Sequence, residues 1–166
     1  MAAPLSVVLH AAKQAGDLMG KRVLVTGCGP IGLLAVLVAR AAGAADIAAT
    51  DISDFTLGKA RDVGADHTIN VAQTPDGLSS IEADKGHFDV LFECSGVASA
   101  LASAVPALRP GATIMQLGLG GDMTLPMQAM TAKELQLKGS FRFHSSFFTA
   151  VEMMRSGRLD VTPLIT

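Results

Sequence analysis

Gly27-Cys28-Gly29-Pro30-Ile31-Gly32 and a lone acid, Asp51, are the residues whose types and spacing point most directly to chemistry. In a G-x-G-x-x-G turn the first glycine bends the chain sharply. The second lets the main chain approach a pyrophosphate, and the third lets a helix close on a strand. Pro30 and Ile31 open that helix, Pro30 with its φ preset and no N–H to waste. Phosphates would then rest on the free N–H groups and positive dipole end of the helix. Asp51 follows about 20 residues later, where an acid accepts hydrogen bonds from the adenosine ribose and repels a 2′-phosphate. These residues ask for a nicotinamide dinucleotide, and Asp51, with Ile52 beside it, favours NAD over NADP.

The flanking elements supply the context that such a turn needs. Arg22 to Thr26 reads as a buried parallel strand, followed by an apolar helix to Ala42 with Gly43 as its stop. A second strand, Asp46 to Thr50, ends at Asp51. The pattern then repeats: Asp54 caps a helix to about Val63, and Gly64-Ala65-Asp66 leads into a strand from His67 to Asn70. Residues 71–86 are polar, with a short helix expected from Leu78 to Ala83. Phe88 to Cys94 reads as the fourth strand, Ala98 to Leu108 as a helix ended by Pro106, and Ala112 to Leu117 as the fifth strand. The Arg109-Pro110-Gly111 turn precedes that strand. Leu135 to Phe141 supplies a sixth, and Phe148 to Arg155 a last helix.

The expected fold is α/β, a doubly wound six-stranded parallel sheet of Rossmann type in a single domain, with strand order 3-2-1-4-5-6. Ligands of such sheets sit outside the carboxyl ends of the strands. Gly27, Asp51, Cys94-Ser95 and Leu117-Gly118 all fall at expected carboxyl ends. Residues 1–20 carry a helical pattern in Leu5, Val8, Leu9, Ala12 and Ala15, closed by Gly20. They are expected to form a linker helix entering from a preceding catalytic domain, with 21–166 as the dinucleotide-binding domain.

Composition narrows the remaining classes. Hydrophobic residues make up 49% and charged ones 17%, which suggests surface meant to be covered by another domain or subunit. A net charge of -2 gives no reason to expect nucleic acid or anionic membrane as a partner. The longest apolar run, Ile31 to Ala39, is far short of a membrane span. Two cysteines without a C-x-x-C pair, and a start without a basic signal segment, point to a reducing cytoplasm. Cys28 and Cys94 read equally as reactive groups near a cofactor or as small apolar residues at a tight turn and a strand end. The absence of tyrosine excludes the Tyr-x-x-x-Lys chemistry of short-chain dehydrogenases. A methyltransferase using S-adenosylmethionine is disfavoured by the proline at the helix start and by LGLGG after the fifth strand.

APLSVVLHA at the start, GCGPIG, the ATD turn, KGHFDVLFECSG, QLGLGG and LKGSFRFHSSFFTAV together resemble the coenzyme domain of the zinc-type medium-chain alcohol and polyol dehydrogenases. The similarity covers essentially the whole chain. It implies that Leu117, Gly118 and Leu119 line the nicotinamide. It also implies that the Ser140, Phe141 and Arg142 backbone holds the carboxamide, and that the Arg142 side chain reaches toward a polyol hydroxyl. In the full-length enzyme of such a family, zinc polarises a secondary alcohol of a small polyol or sugar acid and hydride passes to NAD. The ligands of that zinc belong to an N-terminal domain. This chain, with four scattered histidines and two cysteines, is expected to bind no metal, to hold no catalytic residue of its own and to be inactive alone. Two departures stand out: Ala3 replaces the family's usual Glu, and Asp54, Phe55 and Thr56 follow where an Arg is common. The resemblance further implies a homodimer through residues 119–140, joined edge to edge with Leu137 and Met127 near its centre. A stand-alone NAD-binding or sensing module without catalysis is the second reading.

Overall fold

The computed structural model describes residues 1–81, 83–143 and 145–165, with Ala83 as backbone alone. Glu82, His144 and Thr166 lie outside the described residues. They include one residue of the short helix expected over 78–83 and one of the last family motif.

Six parallel strands form one sheet: β1 (Arg22–Thr26), β2 (Asp46–Asp51), β3 (His67–Asn70), β4 (Phe88–Glu93), β5 (Leu108–Gln116) and β6 (Gln136–Gly139). Their order is β3-β2-β1-β4-β5-β6, as expected from the sequence. The pleat sends alternate residues to opposite faces. Val23, Val25, Ile47, Ala49, Val90, Phe92 and Met115 join one core, and Leu24, Ala48, Leu91 and Ile114 join the other. Burial on both faces explains why these strands read as apolar runs without alternation.

The first core is covered by α1 (Ala2–Ala15), α2 (Pro30–Ala41), α3 (Asp54–Asp62) and α6 (Ser146–Arg155). The second lies beneath α4 (Ala98–Ala104) and α5 (Met127–Ala132). In α1, Leu5, Val8, Leu9, Ala11 and Ala12 are buried, and the helix packs on α2 and α6. It is thus part of this domain's core, whatever precedes it. Among the described residues no helix is long and apolar enough to cross a membrane.

Several boundaries differ from the sequence expectations. Gly16, at φ 94°, stops α1, rather than Gly20. Ser53, not Asp54, caps α3, its side chain accepting from the Thr56 N–H. The 78–83 segment forms two 3-10 turns, Ser79–Ile81 and Ala83–Lys85, in place of a helix. The helix after β4 gives way to a 3-10 turn at Val105–Ala107, where Pro106 has no N–H to continue the α ladder.

The fifth strand begins at Leu108 because Arg109-Pro110-Gly111 is an outward bulge within the strand, not a turn before it. Phe88 pairs with Leu108 and Val90 with Thr113, so β5 carries the extra residues between those pairs. Lys133 pins this bulge: its carbonyl accepts the Gly111 N–H at 2.7 Å, and its ammonium donates to the carbonyls of Lys85, Val105, Pro106 and Leu108.

Candidate dinucleotide site

Each motif glycine has its own reason to lack a side chain. Gly27 adopts φ +83°, and a Cβ there would lie 2.8 Å from the Cα and N of Ser95. At Gly32 a Cβ would meet the Gly27 carbonyl oxygen at 1.7 Å, so the turn and the helix it starts can close only around glycine. Gly29 differs: nothing lies within 4 Å of its Cβ position, which opens to solvent on the outer side of the turn. Pro30 is the first residue of α2, and the Leu33 N–H returns to the Gly29 carbonyl at 2.9 Å. The helix geometry leaves the Ile31 and Gly32 amides without intrahelical acceptors.

Asp51 ends β2 against this turn. Its Oδ2 accepts the Cys28 N–H at 2.6 Å, and its Oδ1 accepts the N–H groups of Ile52 at 2.7 Å and Ser53 at 3.0 Å. A carboxylate has about four acceptor positions and three are taken, so a position on Oδ2 remains for a hydroxyl on the outer side. Ile52 is 72% exposed, an apolar lip beside the acid. Val97, which the sequence reading passed over, is a second exposed apolar residue at 50%, just beyond the end of β4.

Glu93, also missed, is the last residue of β4 and is fully buried. Its carboxylate accepts from Thr26 Oγ1 at 3.3 Å, Ser95 N at 2.9 Å, the Ser95 hydroxyl, Gly96 N at 3.1 Å and Gln116 Nε2 at 2.6 Å. These donors come from the ends of β1, β4 and β5. The available signal was an acid at the end of the apolar run FDVLFEC, since a buried charge must find several donors.

The far end of the cleft is built from Leu117, Gly118 and Leu119. The N–H groups of Leu117 and Gly118 both donate to the Glu93 carbonyl at 2.9 Å, and Leu119 is exposed. Ser140 follows β6, but its N–H already donates to the Gln116 carbonyl at 2.9 Å and its hydroxyl accepts from Gln14. A carboxamide could therefore meet the Ser140 carbonyl, not its amide. Phe141 is exposed, and the Arg142 guanidinium lies over its ring at 5.2 Å.

Cys28 is buried and Cys94 half-buried. Burial, then the charge of Asp51, pushes the Cys28 thiol up to about 12. Burial, then the Glu93 charge, raises Cys94 further. Raised in this way, both thiols favour the neutral form at neutral pH. Among the described residues no group of three or more His, Cys, Asp or Glu side chains is placed to hold a metal ion. His67 and His87 lie at the amino ends of the strands, their Nε2 atoms 3.3 and 3.0 Å from Asp46. That end of the sheet is opposite the cleft.

A family profile described as zinc-binding dehydrogenase matches residues 30–156. L-Idonate 5-dehydrogenase (NAD(P)(+)) of Escherichia coli K12 is 42% identical over 99% of this chain and 48% of its own length. The crystal structure of that E. coli dehydrogenase superposes with a TM-score of 0.93 over 98% of this chain and 47% of the other. Sorbitol dehydrogenase of Bos taurus is 38% identical over 98% of this chain and 47% of its own. A zinc-binding dehydrogenase of Sinorhizobium meliloti, solved bound to NADP, matches at 28% identity with a TM-score of 0.87 over 96% and 48%. The chain spans about half the length of the curated relatives it matches. With its fold and nearly all of its length matched to these proteins, the chain belongs to the zinc-binding dehydrogenase family.

Proposed function

We propose that this chain is the NAD-binding part of a polyol or alcohol dehydrogenase, acting on a small sugar acid or polyol of the kind its relatives are named for. The observation that carries the reading is the Asp51 carboxylate, held on the Cys28 amide beside an open Gly29. There it can receive a ribose hydroxyl and oppose a 2′-phosphate. Gly29 and the start of α2 receive the pyrophosphate, and Ile52 packs on the adenine. Leu117, Gly118 and Leu119 bound the nicotinamide, while the Ser140 carbonyl and the Phe141 and Arg142 backbone orient its carboxamide. Arg142 turns from the Phe141 ring toward a substrate hydroxyl.

When bound, the dinucleotide supplies the hydride acceptor for a secondary alcohol. The residues of this chain hold it in place and contribute no group that moves the substrate's proton. Zinc, in the full-length enzyme, is held by residues outside this chain. One relative's name admits both NAD and NADP, and another was solved with NADP. The preference assigned to Asp51 is therefore one of degree.

The cytoplasm is the compartment that two unbridged cysteines suit. A homodimer through residues 119–140 suits the open edge of β6 and the exposed Met127 and Leu137 beside it.

Amide resonances followed during NAD titration test the reading. Shifts should concentrate at 27–32, 51–53, 95–97 and 117–119. Shifts confined to other segments, or equal shifts with S-adenosylmethionine, would overturn it.

A further inference from the structure

Glu93 joins three loops of the cleft, and the way it does so separates the two ends of the site. Oε1 faces the backbone N–H of Ser95 at 2.9 Å and of Gly96 at 3.2 Å, with the hydroxyls of Thr26 and Ser95 beside them. Oε2 faces the Gln116 amide nitrogen at 2.6 Å and shares the Gly96 N–H, at 3.1 Å, with Oε1. That nitrogen also donates to the Gly118 carbonyl at 3.0 Å. Both neighbours of the Gln116 nitrogen are acceptors, so the orientation of the amide is fixed by its partners. Its oxygen, Oε1, is buried and has no partner among the described residues. Native folds rarely leave such an atom alone. Here the amide gives up its acceptor to keep both donors aimed at Glu93 and Gly118.

Little slack exists around this link. A Cβ on Gly118 would lie 2.1 Å from Gly96 N and 2.7 Å from Glu93 Oε2, and a Cβ on Gly96 would lie 2.8 Å from the Leu119 carbonyl carbon. Asp51, by contrast, is bonded to Cys28, Ile52 and Ser53, none of which bonds to Glu93.

We propose that Glu93 is a positioning residue for the nicotinamide end of the site, acting through Gln116 on the Gly118 carbonyl while leaving the adenosine end independent. This deepens the dinucleotide reading and rests on it.

Glu93→Gln tests the link with almost no change of shape. The Ser95 N–H faces Oε1 alone and cannot turn, so the new NH₂ must take the Oε2 side, against the Gln116 nitrogen, while the shared Gly96 N–H keeps Oε1. Gln116 relieves that clash by turning its amide, which brings its oxygen against the Gly118 carbonyl. The donor that held Gly118 becomes a repelling acceptor. Gln116→Met removes the same donor without touching Glu93, and carries the test should Glu93→Gln fail to fold.

NAD and ADP-ribose, which lacks only the nicotinamide, are titrated calorimetrically into the 166-residue chain and both variants. NAD should bind about tenfold more weakly to each variant, the net worth of one hydrogen bond, with ADP-ribose unchanged within about twofold. Amide exchange of the ligand-free chain should quicken at Leu117 and Gly118 in Glu93→Gln. A general loosening of the fold would weaken both ligands alike, and that result, or no change for either, overturns the role assigned to Glu93. Failure of the wild-type chain to bind either ligand is a different outcome. It overturns the dinucleotide reading itself, and the role of Glu93 in binding with it.

Discussion

The Asp51 carboxylate stands 2.6 Å from the Cys28 amide nitrogen, fastening the last residue of β2 to the middle of the glycine turn. Asp51 and the glycine turn are therefore tied together before any ligand arrives. Asp51→Ser should weaken NAD by about 1.5–3 kcal/mol, the range for hydrogen bonds to a charged group. Binding of NADP should fall less, narrowing the gap between the two. Parallel titrations of both nucleotides check this.

Two glycines of the same turn should fail in different ways. Gly32→Ala places a methyl group on the Gly27 carbonyl, a backbone atom that cannot step aside, and should cost at least about 1–3 kcal/mol of stability. Gly29→Ala meets nothing within 4 Å, and its φ of −67° suits alanine. It should melt no lower than wild type, yet lose NAD affinity, because its methyl fills the side from which the pyrophosphate approaches. Thermal melts with and without NAD separate the two effects.

Much of this architecture is legible in the sequence because strands buried on both faces leave uninterrupted Val, Leu and Ile, and because Pro30 and Gly43 mark the ends of α2. What escaped has physical reasons. Ser53 and Asp54 are both good caps, so local chemistry does not choose between them. The six residues of α5 are too few to show a helical period, and only Met130 among them is buried. Arg109-Pro110-Gly111 has the vocabulary of a turn, and only pairing with β4 reveals it as a bulge. Glu93 owes its role to Thr26 and Gln116, far away in sequence, so its identity alone could not announce it.

Asp66 gives the fold an acid-sensitive contact. Burial alone would raise its carboxyl, but hydrogen bonds from Arg40 and the Ile47 N–H outweigh this and hold it below the ordinary 3.8. A lowered folded-state value contributes stability above the unfolded value near 3.9, and that stability is lost as pH falls through the folded one. Asp66→Asn should lower the denaturant midpoint at pH 6 and flatten its fall below about pH 4. Urea titrations across that window measure both.

β6 ends the sheet, and Leu137 on it is 42% exposed beside Met127 at 58%. Leu137→Glu should convert a micromolar dimer to monomer, since two like charges would meet near the two-fold axis in an apolar setting. Sedimentation velocity reads this directly. A monomeric wild type would mean that something else covers this edge.

The most direct test of the NAD assignment is calorimetric titration of the wild-type chain with NAD and with NADP under identical conditions. NAD should bind at a single site, and NADP at least about tenfold more weakly, the equivalent of about 1.4 kcal/mol for the 2′-phosphate set against Asp51. Equal affinities, or no binding of NAD, would contradict the account.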